Sequence, residues 1–209
     1  MNKIQRTYRH LLKRYGKQRW WPIAGKYSGG PKNKAEKFEV CIGAILAQST
    51  SWKNVERALE NLRKAKALNK KALERIPAAK LAKLIKPAGY YNQKTRKLKE
   101  FARFHKSLKG KEPAREQLLD VWGIGPETAD SILLYAHNKP FFVVDAYTRR
   151  ILSRLGVCKN ADDLKKCSYD TLQQLFHKKL PRNAKMFNEF HALLVEHGKR
   201  LNKKKISEL

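Results

Sequence analysis

The chain has 209 residues, with 47 Lys and Arg against 18 Asp and Glu, a formal net charge of +29, and 42% apolar side chains. That apolar share excludes a disordered chain and is enough for one sizeable unit or two small lobes. The charge calls for a polyanionic partner, and with no apolar run of transmembrane length and no N-terminal signal pattern, a membrane is set aside. The basic residues are spread along the whole chain, so nucleic acid is the expected partner. Charge alone leaves DNA or RNA, and enzyme or packaging protein, open. Three cysteines, Cys41, Cys158 and Cys167, make no disulfide framework and are too few for a four-thiolate cluster, which fits a reducing, cytoplasmic setting.

Apolar residues recur at three and four, and strand-like alternation is scarce, so the expected class is all-α. Residues 1–19 form a basic amphipathic segment with Ile4, Tyr8, Leu11, Leu12 and Tyr15 on one side. Trp20, Trp21 and Pro22 follow, then a Gly-, Pro- and Lys-rich loop through Asn33. The next helix carries Phe38, Cys41, Ile42, Ile45 and Leu46. It stops at Gln48–Ser51, where three hydroxyls offer N-cap chemistry for a helix with Val55, Leu59 and Leu62 on one face. A short helical stretch from Leu73 to Ile85 is interrupted at Pro77. A Pro- and Gly-punctuated turn spans Lys86–Asn92. Asn92 is the expected cap of the helix with Leu98, Phe101 and Ala102. After a break at Gly110–Pro113, helices are expected at about 115–121, 126–137, 145–155, 161–178 and 184–202. The last carries Met186, Phe187, Phe190, Leu193 and Leu194 inward. Lys203–Lys205 reads as a frayed basic tail.

The informative stretch lies between Leu118 and Leu155. Gly123 and Gly125 flank Ile124, and glycines there permit positive φ, so two helices can reverse within four residues. Ile124 should tuck between them as an anchor. Pro126 suits the first position of the second helix, where no backbone donor is required. The N–H groups around Gly123, Gly125 and Thr128 would then be open to a phosphate, a contact that positions DNA without reading bases. An ordinary turn between helices is the plainer alternative. Asp145 follows the apolar run Phe141–Val144. It could simply cap the helix with Tyr147, Ile151 and Leu155, or it could also stabilise positive charge on a sugar as an N-glycosidic bond breaks. Spacing alone leaves both open. His105, His137, His177, His191 and His197 show no metal spacing and read as surface or packing residues. Glu127 and Asp130 read as solvent-facing charges.

Leu119-x-x-x-Gly123-Ile124-Gly125-Pro126-Glu127-Thr128-Ala129, followed by Val144-Asp145, resembles the endonuclease III superfamily of helix-hairpin-helix DNA glycosylases. Residues 38–50 and 85–98 match in order and spacing. The resemblance covers residues 20–155 well and the last 50 or so loosely. It implies two helical lobes with a central DNA-binding cleft. Residues 36–137 would form a six-helix lobe with the hairpin, and residues 1–35 plus 138–209 a terminal-helix lobe carrying a catalytic Asp145. Gln48 is similar to the residue that enters the space left by a flipped nucleotide. Pro87, Ala88, Gly89 and Tyr90 are similar to a wedge parting the opposite strand.

Two departures narrow the reading. Bifunctional members carry a nucleophilic Lys eighteen residues before the Asp; here that position is Glu127, which cannot form a Schiff base. The four-cysteine iron–sulfur loop is absent, so neither cofactor nor metal is expected. What remains resembles the monofunctional 3-methyladenine DNA glycosylases, with Trp20, Trp21, Pro22 and Trp52 as the implied base pocket. An indole face attracts a cationic methylated purine. Core packing is the competing role for Trp20 and Trp21. The expectation is a monomeric, nucleoid-associated enzyme acting on damaged bases in double-stranded DNA. An endonuclease III-like glycosylase with lyase activity on oxidised or mismatched bases, and a non-catalytic DNA-binding protein, are the alternatives.

Overall fold

A computed structural model describes residues 1–156 and 167–201. Cys158, the first residues of the helix expected at 161–178, and Lys203–Lys205 lie outside the described residues. Those described are helical, with one isolated bridge between Ile23 and Lys26 and no strand. The chain forms two compact units, Met1–Trp20 with Asn138–Leu209, and Trp21–His137.

The middle unit is built around α2 (Lys34–Leu46), capped by the Asn33 side chain. Every residue from Phe38 to Leu46 is buried, so this helix is the unit's axis rather than an amphipathic cover. Around it lie α3 (Trp52–Lys64), α4 (Lys70–Arg75), α5 (Ala78–Ile85), a 3-10 turn at Lys86–Ala88, and α6 (Tyr91–Ser107). Val55, Leu62, Leu73, Leu81, Ile85 and Leu98 are fully buried, each worth about 1.5–3 kcal/mol by removal from water. Pro77 separates α4 from α5, as the sequence predicts. Two expected caps differ. Ser51 stands at the start of α3 but its hydroxyl makes no capping bond. Tyr90, in left-handed conformation, occupies the start of α6, which leaves Asn92 inside the helix.

The unit runs from Trp21, whose indole packs within it. A Cβ at Gly43 would lie 3.0 Å from that indole, so a larger residue there would press on the ring. Trp21 also meets Trp52 edge-on at 4.9 Å and Tyr135 at 5.1 Å. The loop after it is pinned where Ala24 N–H donates to Glu39, which also accepts from Arg63.

The hairpin joins α7 (Arg115–Leu119) to α8 (Pro126–Ser131), which continues as a π-turn through Ile132–Ala136. Asp130 is not solvent-facing, as expected from sequence, but fully buried. Its two oxygens accept from Arg115 Nε at 2.8 Å and a terminal guanidinium nitrogen at 3.2 Å. This bidentate pair sets the angle between the helices.

The terminal unit packs α1 (Lys3–Tyr15), α9 (Ala146–Arg154), α10 (Tyr169–Lys179) and α11 (Ala184–Leu201). Its core is aromatic: Phe142 stacks on Phe176 at 3.7 Å and meets Phe187 and Phe190 edge-on. Among the described residues the run 141–144 has no strand partner. Helix α10 replaces one: Phe142 N–H donates to His177, Val144 N–H to the Tyr169 hydroxyl, and Gln173 donates to the Phe142 carbonyl. His177 is therefore a partner of the backbone rather than a filler.

Arg115→Ala takes this counter-ion from a buried carboxylate and should cost about 3–5 kcal/mol. Urea denaturation of the variant beside the wild type measures the loss.

Candidate active site and DNA interface

In the middle unit the turn between the helices is tight. Val121 N–H donates to Leu118 and Ile124 N–H to Val121, while Ala129 N–H donates to the Gly125 carbonyl. Only Gly123 uses the left-handed region, at φ +81°; Gly125 is extended and stands at the helix start. Ile124 is buried and Pro126 opens α8. Gly125 brings no capping side chain, so no side chain caps the first-turn amides of α8.

Gln48 lies just past the end of α2 and is bound to this hairpin. Its amide nitrogen donates to the Gly123 carbonyl at 3.0 Å and the Thr128 hydroxyl at 2.9 Å, and its oxygen accepts from Lys97. The Lys97 stem packs where a Gly123 side chain would stand. The family resemblance implied a role for Gln48 at DNA but did not show that its polar atoms are already engaged.

The Pro87–Tyr90 turn divides by exposure. Ala88 is fully buried, Gly89 has φ +70°, and Tyr90 is 67% exposed at φ +45°. A bulky residue held left-handed costs about 1–2 kcal/mol, so the fold strains its backbone to project this ring. Lys94 ties this turn to the previous one. It is 2% exposed and donates to the carbonyls of Leu46 at 2.9 Å and Ala88 at 2.8 Å. Burial, and then the nearby Lys97 charge, push its ammonium down to about 8.

Sequence reasoning passed over Trp122. This ring, 43% exposed beside Gly123, carries the Arg96 guanidinium 3.9 Å from its centroid. An exposed cationic–aromatic pair beside the hairpin suits a phosphate backbone. Its position next to Gly123 was legible, but its exposure was not.

The four residues of the implied base pocket do not share one environment. Trp21 and Pro22 are buried, and Trp21 takes the core-packing role left open by the sequence. Trp52 is half-buried and lines, with Pro22, Glu39 and Glu56, a hollow of 300 Å³. Trp20 belongs to the terminal unit, where it is half-exposed with Lys199 Nζ 6.0 Å from its ring. Cys41 is buried, which pushes its thiol up to about 12 and leaves it unreactive.

In the terminal unit Asp145 caps α9: Oδ1 accepts from Thr148 N–H at 2.7 Å. Its other oxygen lies 3.6 Å from His191 Nε2 on α11. The carboxylate is 15% exposed. Burial works to raise its pKa, but the His191 interaction and the Thr148 bonds outweigh it and hold the group below the usual carboxylate range. His191, read from sequence as a surface or packing residue, is thus beside the carboxylate.

Residues 42–181 match the HhH-GPD superfamily base excision DNA repair proteins. A candidate DNA repair glycosylase of Methanocaldococcus jannaschii is 42% identical over 97% of this chain and 90% of its own. Endonuclease III of Thermotoga maritima is 29% identical over 83% of this chain and 79% of its own. Among solved structures, the H. pylori 3-methyladenine DNA glycosylase MagIII bound to 1,N6-ethenoadenine superposes with a TM-score of 0.70 at 31% identity, over 100% of both chains. A trapped endonuclease III–DNA covalent intermediate shares the fold, with a TM-score of 0.76 at 19% identity over 96% of this chain and 88% of that one.

Lys94→Met should isolate the buried ammonium. A folded pKa below the unfolded one means that the unfolded chain binds more protons between about 8 and 10.5, so stability from this group rises with pH there and is lost as pH falls through about 8. The wild type should therefore gain stability relative to Lys94→Met from pH 7 to pH 10, measured by denaturant midpoints at both. The all-helical fold, the hairpin and the match over most of its length converge: the chain belongs to the HhH-GPD superfamily of base excision DNA repair proteins.

Proposed function

We propose that the chain is a monofunctional DNA glycosylase that releases alkylated purines, 3-methyladenine foremost, from double-stranded DNA. The observation that carries this is Glu127, an exposed carboxylate in the first turn of α8, at the place where the resembled bifunctional enzymes have a nucleophilic Lys. A carboxylate cannot form the imine on which strand cleavage depends. Likeness to MagIII over its whole length supports the substrate class.

The reaction asks little of the protein. A 3-methylated purine is cationic, so when the C1′–N9 bond breaks, the electron pair neutralises the leaving base. Positive charge appears on the sugar, and an ionised Asp145 stabilises it. Water then bonds to C1′ and gives up its proton, to Asp145 or to solvent. In this reading the half-buried Trp52 offers its indole face to the cationic base, with Trp21 and Pro22 as backing. Gly123, Ile124, Gly125 and Thr128 hold the backbone. Tyr90 enters the duplex at the tip of the turn, with Pro87 and Gly89 beside it and the buried Ala88 anchoring them. Gln48 reaches the space left by the flipped nucleotide by giving up its bonds to the hairpin.

Incubation with duplex containing 3-methyladenine should release free base above the spontaneous background. Asp145→Asn should slow release about a hundredfold or more. Borohydride should trap no covalent complex. Absence of release at saturating enzyme would reject the substrate class, and a trapped band would reject the monofunctional chemistry.

A further inference from the structure

Asp145 is held through two hands, and only one belongs to its own helix. The Thr148 amide fixes Oδ1 as any helix cap would. The Thr148 hydroxyl adds to that local hold. Oδ2 is the oxygen that faces another helix, with His191 Nε2 at 3.6 Å, just beyond hydrogen-bond distance, on a side chain 10% exposed. His191 reaches it from a helix anchored on both sides of that position. Phe187, Phe190 and Leu194 are buried next to it along α11. Gly198, seven residues on, lies so close to Tyr147 that an added Cβ would come within 2.5 Å of the ring. Phe142, in the run leading to Asp145, stands edge-on to the imidazole at 6.4 Å. The packing therefore delivers one ring nitrogen to one carboxylate oxygen.

We propose that His191 is a positioning residue for Asp145, holding the carboxylate in one rotamer and in its ionised form. This rests on the reading of Asp145 as the catalytic carboxylate. A capping carboxylate free at Oδ2 rotates, and burial favours its protonation, in which state it no longer stabilises a sugar cation. A nitrogen donor or imidazolium at Oδ2 opposes both. Loss of such orientation lowers the rate while leaving DNA affinity alone, since His191 is itself buried.

Single-turnover base release at saturating enzyme, with duplex affinity measured alongside, distinguishes the outcomes. His191→Ala should slow release about a hundredfold with affinity within about twofold. His191→Gln, which restores a donor, should recover most of the rate. His191→Phe, which fills the space without a donor, should stay slow, and it separates positioning from packing if the Ala variant folds poorly. A full rate in His191→Phe overturns the proposal, as does equal slowing in the Gln and Phe variants. If Asp145→Asn releases base at the wild-type rate, the catalytic reading of Asp145 itself falls. If that variant is slow while His191→Phe is fast, only the positioning role falls.

Discussion

The ammonium of Lys94 sits where two turns would otherwise leave carbonyls unanswered. Helix α2 ends at Leu46, and the 3-10 turn ends at Ala88; each carbonyl accepts from the same buried nitrogen. A hydrogen bond to a charged group is worth about 1.5–3 kcal/mol, and an unanswered buried carbonyl costs a similar amount. The Gln48 turn and the Pro87–Tyr90 turn therefore hang from one cation on α6. Lys97, one turn further along, extends the arrangement to Gln48 and through it to Gly123 and Thr128. One helix thus registers three segments on which DNA binding is proposed to depend. Their relative positions follow from the spacing of two lysines. In a chain with so large a positive surplus, these two are used to organise protein rather than to meet a phosphate.

The carboxylates follow the complementary logic. With few of them available, the buried ones are placed where a polar group must be satisfied or a geometry fixed. Asp130 receives both arms of Arg115 and braces the hairpin. Glu39 holds the loop after Trp21 against α2 and α3. Asp145 caps α9 and faces His191. The desolvation that would neutralise Asp145 is outweighed by these partners, so it stays an anion while largely buried, the state that its proposed catalytic role requires.

Much of this architecture was open to reading from sequence. Periods of three and four located the helices, Pro77 divided α4 from α5, and Gly123-Ile124-Gly125-Pro126 announced the hairpin. The departures had distant as well as local causes. Trp21 packs over Gly43, well along the chain. Asp130 looked like a surface charge because Arg115 lies on the preceding helix. Asn92 and Ser51 looked like caps because their residue types suit that role, but backbone geometry put Tyr90 at one helix start and left the Ser51 hydroxyl without a capping bond at the other.

The sequence by itself determined the helical class, the hairpin, the carboxylate after Val144, and the absence of a lysine at Glu127. These are local patterns or single residues at set spacings, and they survive without coordinates. Only the tertiary structure decided that Gln48 is bound to the hairpin, that Lys94 is buried, that Trp122 stands exposed under Arg96, and that His191 faces Asp145. Periodicity reports which face of a helix is buried. It does not report which polar atom on that face meets which partner, because that pairing exists only once helices distant in sequence have packed.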